Sequence, residues 1–178
     1  RSYSVTGVQT CALPIFSQEL KEAKKIDASS VQVLETVAEF TLRGGKRLRP
    51  ALTYFGFQCF KKDFPRKELI RVAMVNELLQ SGLLIHDDIM DQSALRRNRP
   101  TAHRLFEKMG QKDFGWPENF AHQKHFGASL AICAGDLCYA LMSKILLESG
   151  FSQADRALIQ LNQTDRKSTR LNSSHRIR

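Results

Sequence analysis

Cysteine is scarce, and the four present (Cys11, Cys59, Cys133 and Cys138) form no Cys-x-x-Cys pair in 178 residues. That excludes a zinc-ribbon pattern and a small disulfide framework, and reads as reduced packing residues in a cytoplasmic protein. There is no Asn-Gly or Asp-Gly dipeptide and no sustained alternating apolar run, so a sheet-rich fold is not expected. No uncharged apolar run reaches the roughly 18 residues of a spanning helix. The nearest, Gly127–Met142, is interrupted by Asp136, so no stable membrane insertion is expected. No initiator methionine and no basic-then-apolar leader are visible. Acidic residues are the scarcer charge, 18 against 27 Lys and Arg, for a formal charge of +9. Such a balance calls for an anionic partner: nucleic acid, a membrane surface or phosphate groups.

What is present reads as helix. Hydrophobic residues make up 42% of the chain, enough to build a core. Phe16–Ile26 is a short charged helix. Val31, Leu34, Val37, Ala38 and Leu42 recur at helical spacing until Gly44-Gly45 stops them. Pro50 fits the first turn of a helix running to about Phe60. Pro65 opens a long segment that runs into His86–Asp91. Leu95–Pro100 reads as a basic loop. Thr101 is placed to cap a short helix to Met109, ended by Gly110. Asp113–His125 reads as a loop, Phe126–Ser149 as a long apolar helix, and Ser152–Asp155 as a capping box before a last helix. The fold class is all-α. Residues 1–15 and 165–178 lack helical period and resemble translated adapter read-through. They are read as non-native extensions flanking a domain over 16–164. That domain holds 21 cations and 17 anions, so much of the charge lies outside it.

The sharpest feature is His86-Asp87-Asp88-Ile89-Met90-Asp91. Asp87 and Asp91 are four apart, on one helix face and about 6 Å apart along the axis. Like charges there repel by a few tenths of a kcal/mol, and the helix C-terminus disfavours anions further. A divalent cation offsets both costs. Carboxylate-only donors suit Mg²⁺, which keeps several waters and is commonly shared with phosphate. The plainer reading is a solvated acidic turn.

Two basic clusters flank these carboxylates. Downstream lies Arg96-Arg97-Asn98-Arg99-Pro100. Upstream, Gly44-Gly45-Lys46-Arg47-Leu48-Arg49-Pro50 packs three cations between two glycines and a proline. Lys46 offers a point charge, and Arg47 and Arg49 offer planar forks for phosphate oxygens. Carboxylates between two basic clusters make a site for polyanions bridged by metal.

The pairing GGKRLRP … LLIHDDIMDQSALRRNRPTAH resembles the trans-isoprenyl diphosphate synthases, the farnesyl and geranylgeranyl diphosphate synthase family. The resemblance covers about Phe16–Thr164 and implies an isoprenoid-synthase-type helical bundle, homodimeric when full length. It implies a Mg²⁺-dependent prenyltransferase that joins isopentenyl diphosphate to an allylic diphosphate, with no nucleic acid involved. By match to the family motifs, Asp87 and Asp91 would hold Mg²⁺ with Asp88 in support. Arg96 would bind the allylic diphosphate, and Lys46, Arg49 and Arg97 the isopentenyl diphosphate. Gln80 stands where many members have His. Asp136 reads as a buried, paired structural carboxylate.

The family's second aspartate-rich motif does not occur in this sequence. The chain is therefore expected to be a truncated, N-terminal portion, inactive or nearly so by itself. Gly82 and Leu83, five and four positions before Asp87, are not aromatic, which favours products of geranylgeranyl length or longer. A Gly82→Phe change is expected to shorten the product. Two rival readings stay open: a terpene cyclase-like enzyme that ionises one diphosphate, and a basic helical nucleic-acid-binding module. A noncatalytic, partner-binding homologue is a third.

Overall fold

The structure, a computed structural model, describes residues 6–43, 47–61, 63–117, 121–153, 157 and 160. The described elements are α1 (Thr6–Ala23), α2 (Ala28–Leu42), α3 (Leu48–Phe60), α4 (Arg66–Ala73), α5 (Val75–Met90), β1 (Leu95–Arg96), β2 (Arg99–Pro100), α6 (Ala102–Phe114) and α7 (Ala121–Leu147). The expected all-α class holds.

Local chemistry explains most boundaries. Asp27 caps α2, its carboxylate accepting from the Ser30 amide at 2.6 Å. That hydrogen bond holds the Asp27 carboxyl below its ordinary range. The backbone turns left-handed at Arg47 (φ 49°) as α3 begins. α6 ends at Gly115, whose φ of 64° suits a residue without Cβ.

Several expectations are corrected. α1 runs unbroken from Thr6 across Ile15, with Pro14 inside it, so 6–15 is helical although its sequence lacks an apolar period. Backbone bonding continues there without an amphipathic stripe to announce it. The long segment after Pro65 is two helices, broken at Met74, whose side chain is fully buried. Leu95–Pro100 is a two-stranded hairpin, with Arg97 (φ 53°) and Asn98 (φ 60°) as its loop. Positive φ at both loop residues suits the right-handed twist of a tight hairpin, and Asn tolerates it well. α6 does not stop at Gly110. This residue packs inside the helix, where an added Cβ would lie 2.8 Å from the Trp116 ring. Thr101 does occupy the N-cap position, but its hydroxyl donates backward to the Ser93 carbonyl (2.7 Å) and makes no cap bond. It thereby ties α6 to the hairpin. The start expected at Phe126 moves upstream to Ala121, and the last expected helix lies mostly outside the described residues.

The core lies where α5 and α6 pack along α7, with α1 and α2 closing one side. Leu78 and Ile85 of α5 share one core cluster with Ala134, Cys138 and Met142 of α7, all essentially inaccessible. Small residues let the helices approach: a Cβ on Gly127 would fall 2.5 Å from the His103 carbonyl oxygen, and one on Gly82 would meet Gly135, Cys138 and Tyr139 at 3.1–3.3 Å. By length and composition His122–Leu147 is apolar enough to cross a membrane, because Asp136 does not break the helix. Its buried face nevertheless has a partner within the fold, in α5 and α6.

Candidate diphosphate and metal site

The carboxylates occupy the last turn of α5. The three do not act alike. Asp88 points inward and is fully buried. Arg96, on β1, grips it through Nε, 2.9 Å from both Oδ1 and Oδ2, and through Nη2, 2.8 Å from Oδ1. Those hydrogen bonds push the guanidinium pKa up further, so its charge is permanent. Asp87 is half-buried, with Oδ2 3.6 Å from Arg96 Nη2, and Asp91 is the exposed C-cap residue. The helix turn thus sends one carboxylate to Arg96 and leaves Asp87 and Asp91 on the accessible side.

A second set of residues meets beside this end. Gln80 on α5, Arg96, and Arg97 at the hairpin tip line one small cavity, together with Arg43, Arg47 and Glu77. Arg96 serves both places, since it lines the cavity and pairs with Asp88 and Asp87. Of the residues named from the sequence, the cavity gathers Gln80, Arg96 and Arg97. Arg49 stands exposed on the first turn of α3, outside the cavity lining. Lys46 and Gly44-Gly45 lie outside the described residues. Arg47 corrects the reading that it offers its fork outward. It is 6% exposed, donates to the Thr41 carbonyl at 2.9 Å and pairs with Glu77. Its left-handed backbone at the helix entry turns it inward. Arg43, the C-cap residue of α2 just before the glycine pair, was missed. Its only signal was a cation at a helix C-terminus, a common solvated arrangement.

The neighbouring histidine and the later carboxylate also become concrete. His86 Nε2 lies 3.2 Å from the Ile132 carbonyl oxygen and 3.7 Å from Asp136 Oδ1. Gly135 makes room for it, since a Cβ there would fall 2.1 Å from His86 Nε2. Asp136 is not buried: its side chain is 70% exposed, because this side of α7 faces outward. Gly82 is likewise a packing position between α5 and α7, so a phenyl ring there has no open floor to fill.

Among the described residues no three His, Cys, Asp or Glu side chains form a ready metal cluster. Asp87 and Asp91 offer oxygen donors on an accessible helix end. Two carboxylates completed by phosphate oxygens and water suit Mg²⁺ better than a closed protein cage. The donor set therefore fits that ion.

An all-helical fold with accessible carboxylates at a helix end, beside a guanidinium-lined cavity, defines a class of proteins equipped to hold phosphorylated ligands. Comparison with known proteins narrows it. Residues 31–170 match the family model described as polyprenyl synthetase, and the chain belongs to that family. It is 37% identical over 97 residues to the short chain isoprenyl diphosphate synthase of Methanocaldococcus jannaschii, covering 54% of this chain and 23% of that protein. It is 34% identical over 103 residues to the geranylgeranyl pyrophosphate synthase of Geoglobus acetivorans, covering 58% and 25%. A crystal structure of geranylgeranyl pyrophosphate synthase from Corynebacterium glutamicum, complexed with isoprenyl diphosphate and magnesium, superposes with a TM-score of 0.74 at 28% identity. The match covers 83% of this chain and 41% of that one. The isoprenoid-synthase fold is thereby shown. The chain spans about a quarter of the length of these two curated relatives.

Proposed function

We propose that the protein containing this chain is a trans-prenyltransferase, which condenses isopentenyl diphosphate with an allylic diphosphate and releases pyrophosphate. The observation that carries this reading is the cavity shared by Gln80, Arg96 and Arg97 beside the accessible carboxylates Asp87 and Asp91. Asp87 and Asp91 would hold Mg²⁺, which when bound neutralises charge on the leaving diphosphate. Arg96 directs its positive charge toward the same group while Asp88 fixes its orientation. Lys46, Arg49, Gln80 and Arg97 bind the second diphosphate and hold its double bond near the allylic carbon. Family membership supports these roles. The relatives named above include makers of geranylgeranyl products, which supports a product of that length or longer.

A homodimer is the proposed assembly and the cytoplasm the proposed location. The free state of Cys59, Cys133 and Cys138 is consistent with reduced thiols. The proposed domain remains 16–164, since Phe16 is the first residue of the described core. A terpene cyclase needs no second diphosphate, whereas the roles proposed for Lys46, Arg49, Gln80 and Arg97 call for one. A nucleic-acid module leaves Asp87 and Asp91 repelling a phosphate backbone.

Calorimetric titration with isopentenyl diphosphate tests the reading. Saturable binding is expected, weakened about tenfold or more in Arg97→Leu and several-fold in Gln80→Leu. Absence of binding, together with tight salt-dependent binding of duplex DNA, would reverse it.

A further inference from the structure

Five buried side-chain polar atoms among the described residues have no hydrogen-bond partner: Thr41 Oγ1, Arg43 Nη1, Arg47 Nε, His103 Nδ1 and Arg104 Nε. Three of them, on Thr41, Arg43 and Arg47, belong to the lining of a single cavity. Buried donors are normally satisfied, so orphans gathered at one place mark a missing acceptor.

Arg43 is the most exacting case. Its side chain is 3% exposed. One edge of the fork is used: Nε donates to Glu39 Oε2 at 2.7 Å, and the guanidinium lies 5.1 Å from the Phe40 ring centroid. The other edge carries the orphan. Thr41, 2% exposed, adds a hydroxyl that can donate. The lining holds four guanidinium groups, of which Arg43 pairs with Glu39, Arg47 with Glu77 and Arg96 with Asp88. A trapped water accepts at most two hydrogen bonds, one fewer than the three orphans of this lining. An anionic oxygen, with three lone pairs, supplies all three acceptors.

We propose that Arg43 and Thr41 are further binding residues for a diphosphate group, donating from Arg43 Nη1 and Thr41 Oγ1 to its oxygens in the cavity shared with Gln80 and Arg97. This rests on the proposed prenyltransferase site and extends it to the end of α2, ahead of Gly44-Gly45. The cavity, about 20 Å³, holds little more than one water, so diphosphate binding requires its lining to separate around the anion.

The test titrates inorganic pyrophosphate into the 178-residue chain with a chelator present, so that arginines alone are read. Arg43→Gln is expected to weaken binding about tenfold and Thr41→Val about threefold. Thr41→Val removes an unsatisfied hydroxyl at nearly constant volume, so its ligand-free melting temperature is expected to hold or rise. Glu39→Gln removes Arg43's partner but leaves the cavity edge of its fork. It is expected to bind within twofold of the parent, whereas a purely structural Arg43 would make it copy Arg43→Gln. Arg97→Gln reports on the site itself. If Arg97→Gln weakens binding while Arg43→Gln and Thr41→Val do not, the proposal fails and the site reading stands. A lowered melting temperature with unchanged affinity in Thr41→Val likewise overturns it. If the parent chain does not bind pyrophosphate, both fail.

Discussion

Arg96 holds Asp88 side-on, with Nε 2.9 Å from both carboxylate oxygens across eight residues of chain. Asp88 is fully buried, so the pair ties the last turn of α5 to the hairpin. Removing one partner of a buried pair strands the other charge, which costs about 3–5 kcal/mol. Arg96→Met is expected to lose about 3 kcal/mol in urea denaturation. The double variant Asp88→Asn/Arg96→Met is expected to lose clearly less than the sum of the single losses. Additive losses would show that the contact carries little coupling.

Asp87 and Asp91 should behave oppositely. Both are accessible, sit four residues apart and lie at a helix C-terminus, which disfavours their charge without metal; at Asp87 the Arg96 guanidinium 3.6 Å away offsets part of that. Asp91→Asn is expected to raise ligand-free stability by about 0.5 kcal/mol, and Asp87→Asn by less because it also gives up the Arg96 contact. Each is also expected to abolish most of the Mg²⁺-dependent rise in melting temperature seen with a diphosphate present. A drop in ligand-free stability would assign these carboxylates to the scaffold instead.

Helix spacing makes a further prediction. Gly127→Ala places a Cβ 2.5 Å from the His103 carbonyl oxygen, a backbone atom that cannot swing aside. It is expected to cost about 2–3 kcal/mol. Gly82→Phe is expected to destabilise by at least as much, because even a Cβ at Gly82 is crowded by Gly135 and Cys138. Thermal melting separates this from the expectation that Gly82→Phe merely shortens the product; an undisturbed melt would restore that expectation.

His103 gives a pH signature. Burial pushes its pKa down, with the Arg104 charge adding to the effect. The folded state therefore resists protonation that the unfolded chain accepts at about pH 6.5. Stability from this group is fully present above pH 6.5 and is lost as pH falls toward the depressed folded value. His103→Gln is expected to flatten the slope of stability against pH over about pH 7.5 to 5.5. An unchanged slope would assign the dependence to other groups.

Much of this was legible from periodicity. Val31–Leu42 shows its apolar stripe and is a helix, and the carboxylates fall on the last turn of α5 as their spacing implies. The break at Met74 left no mark, because Met74 and Val75 both enter the core and a change of helix axis leaves the apolar pattern intact. The hairpin was hidden because its turn uses Arg97-Asn98 rather than a glycine. Residue type alone did not separate Asp88 from Asp87 and Asp91. Only the return of Arg96 along β1 decides which carboxylate is buried. Arg47 and Arg49 look alike in sequence, yet Arg47 turns in toward Glu77 and Arg49 faces outward.

The most direct measurement is calorimetric binding of geranyl S-thiolodiphosphate, an allylic diphosphate whose bridging sulfur slows ionisation, to this chain with and without Mg²⁺. The account predicts saturable binding that strengthens at least tenfold with Mg²⁺, and loss of that gain in the Asp87→Asn/Asp91→Asn variant. Binding that ignores Mg²⁺, or that survives in the double variant with its Mg²⁺ dependence intact, would contradict it.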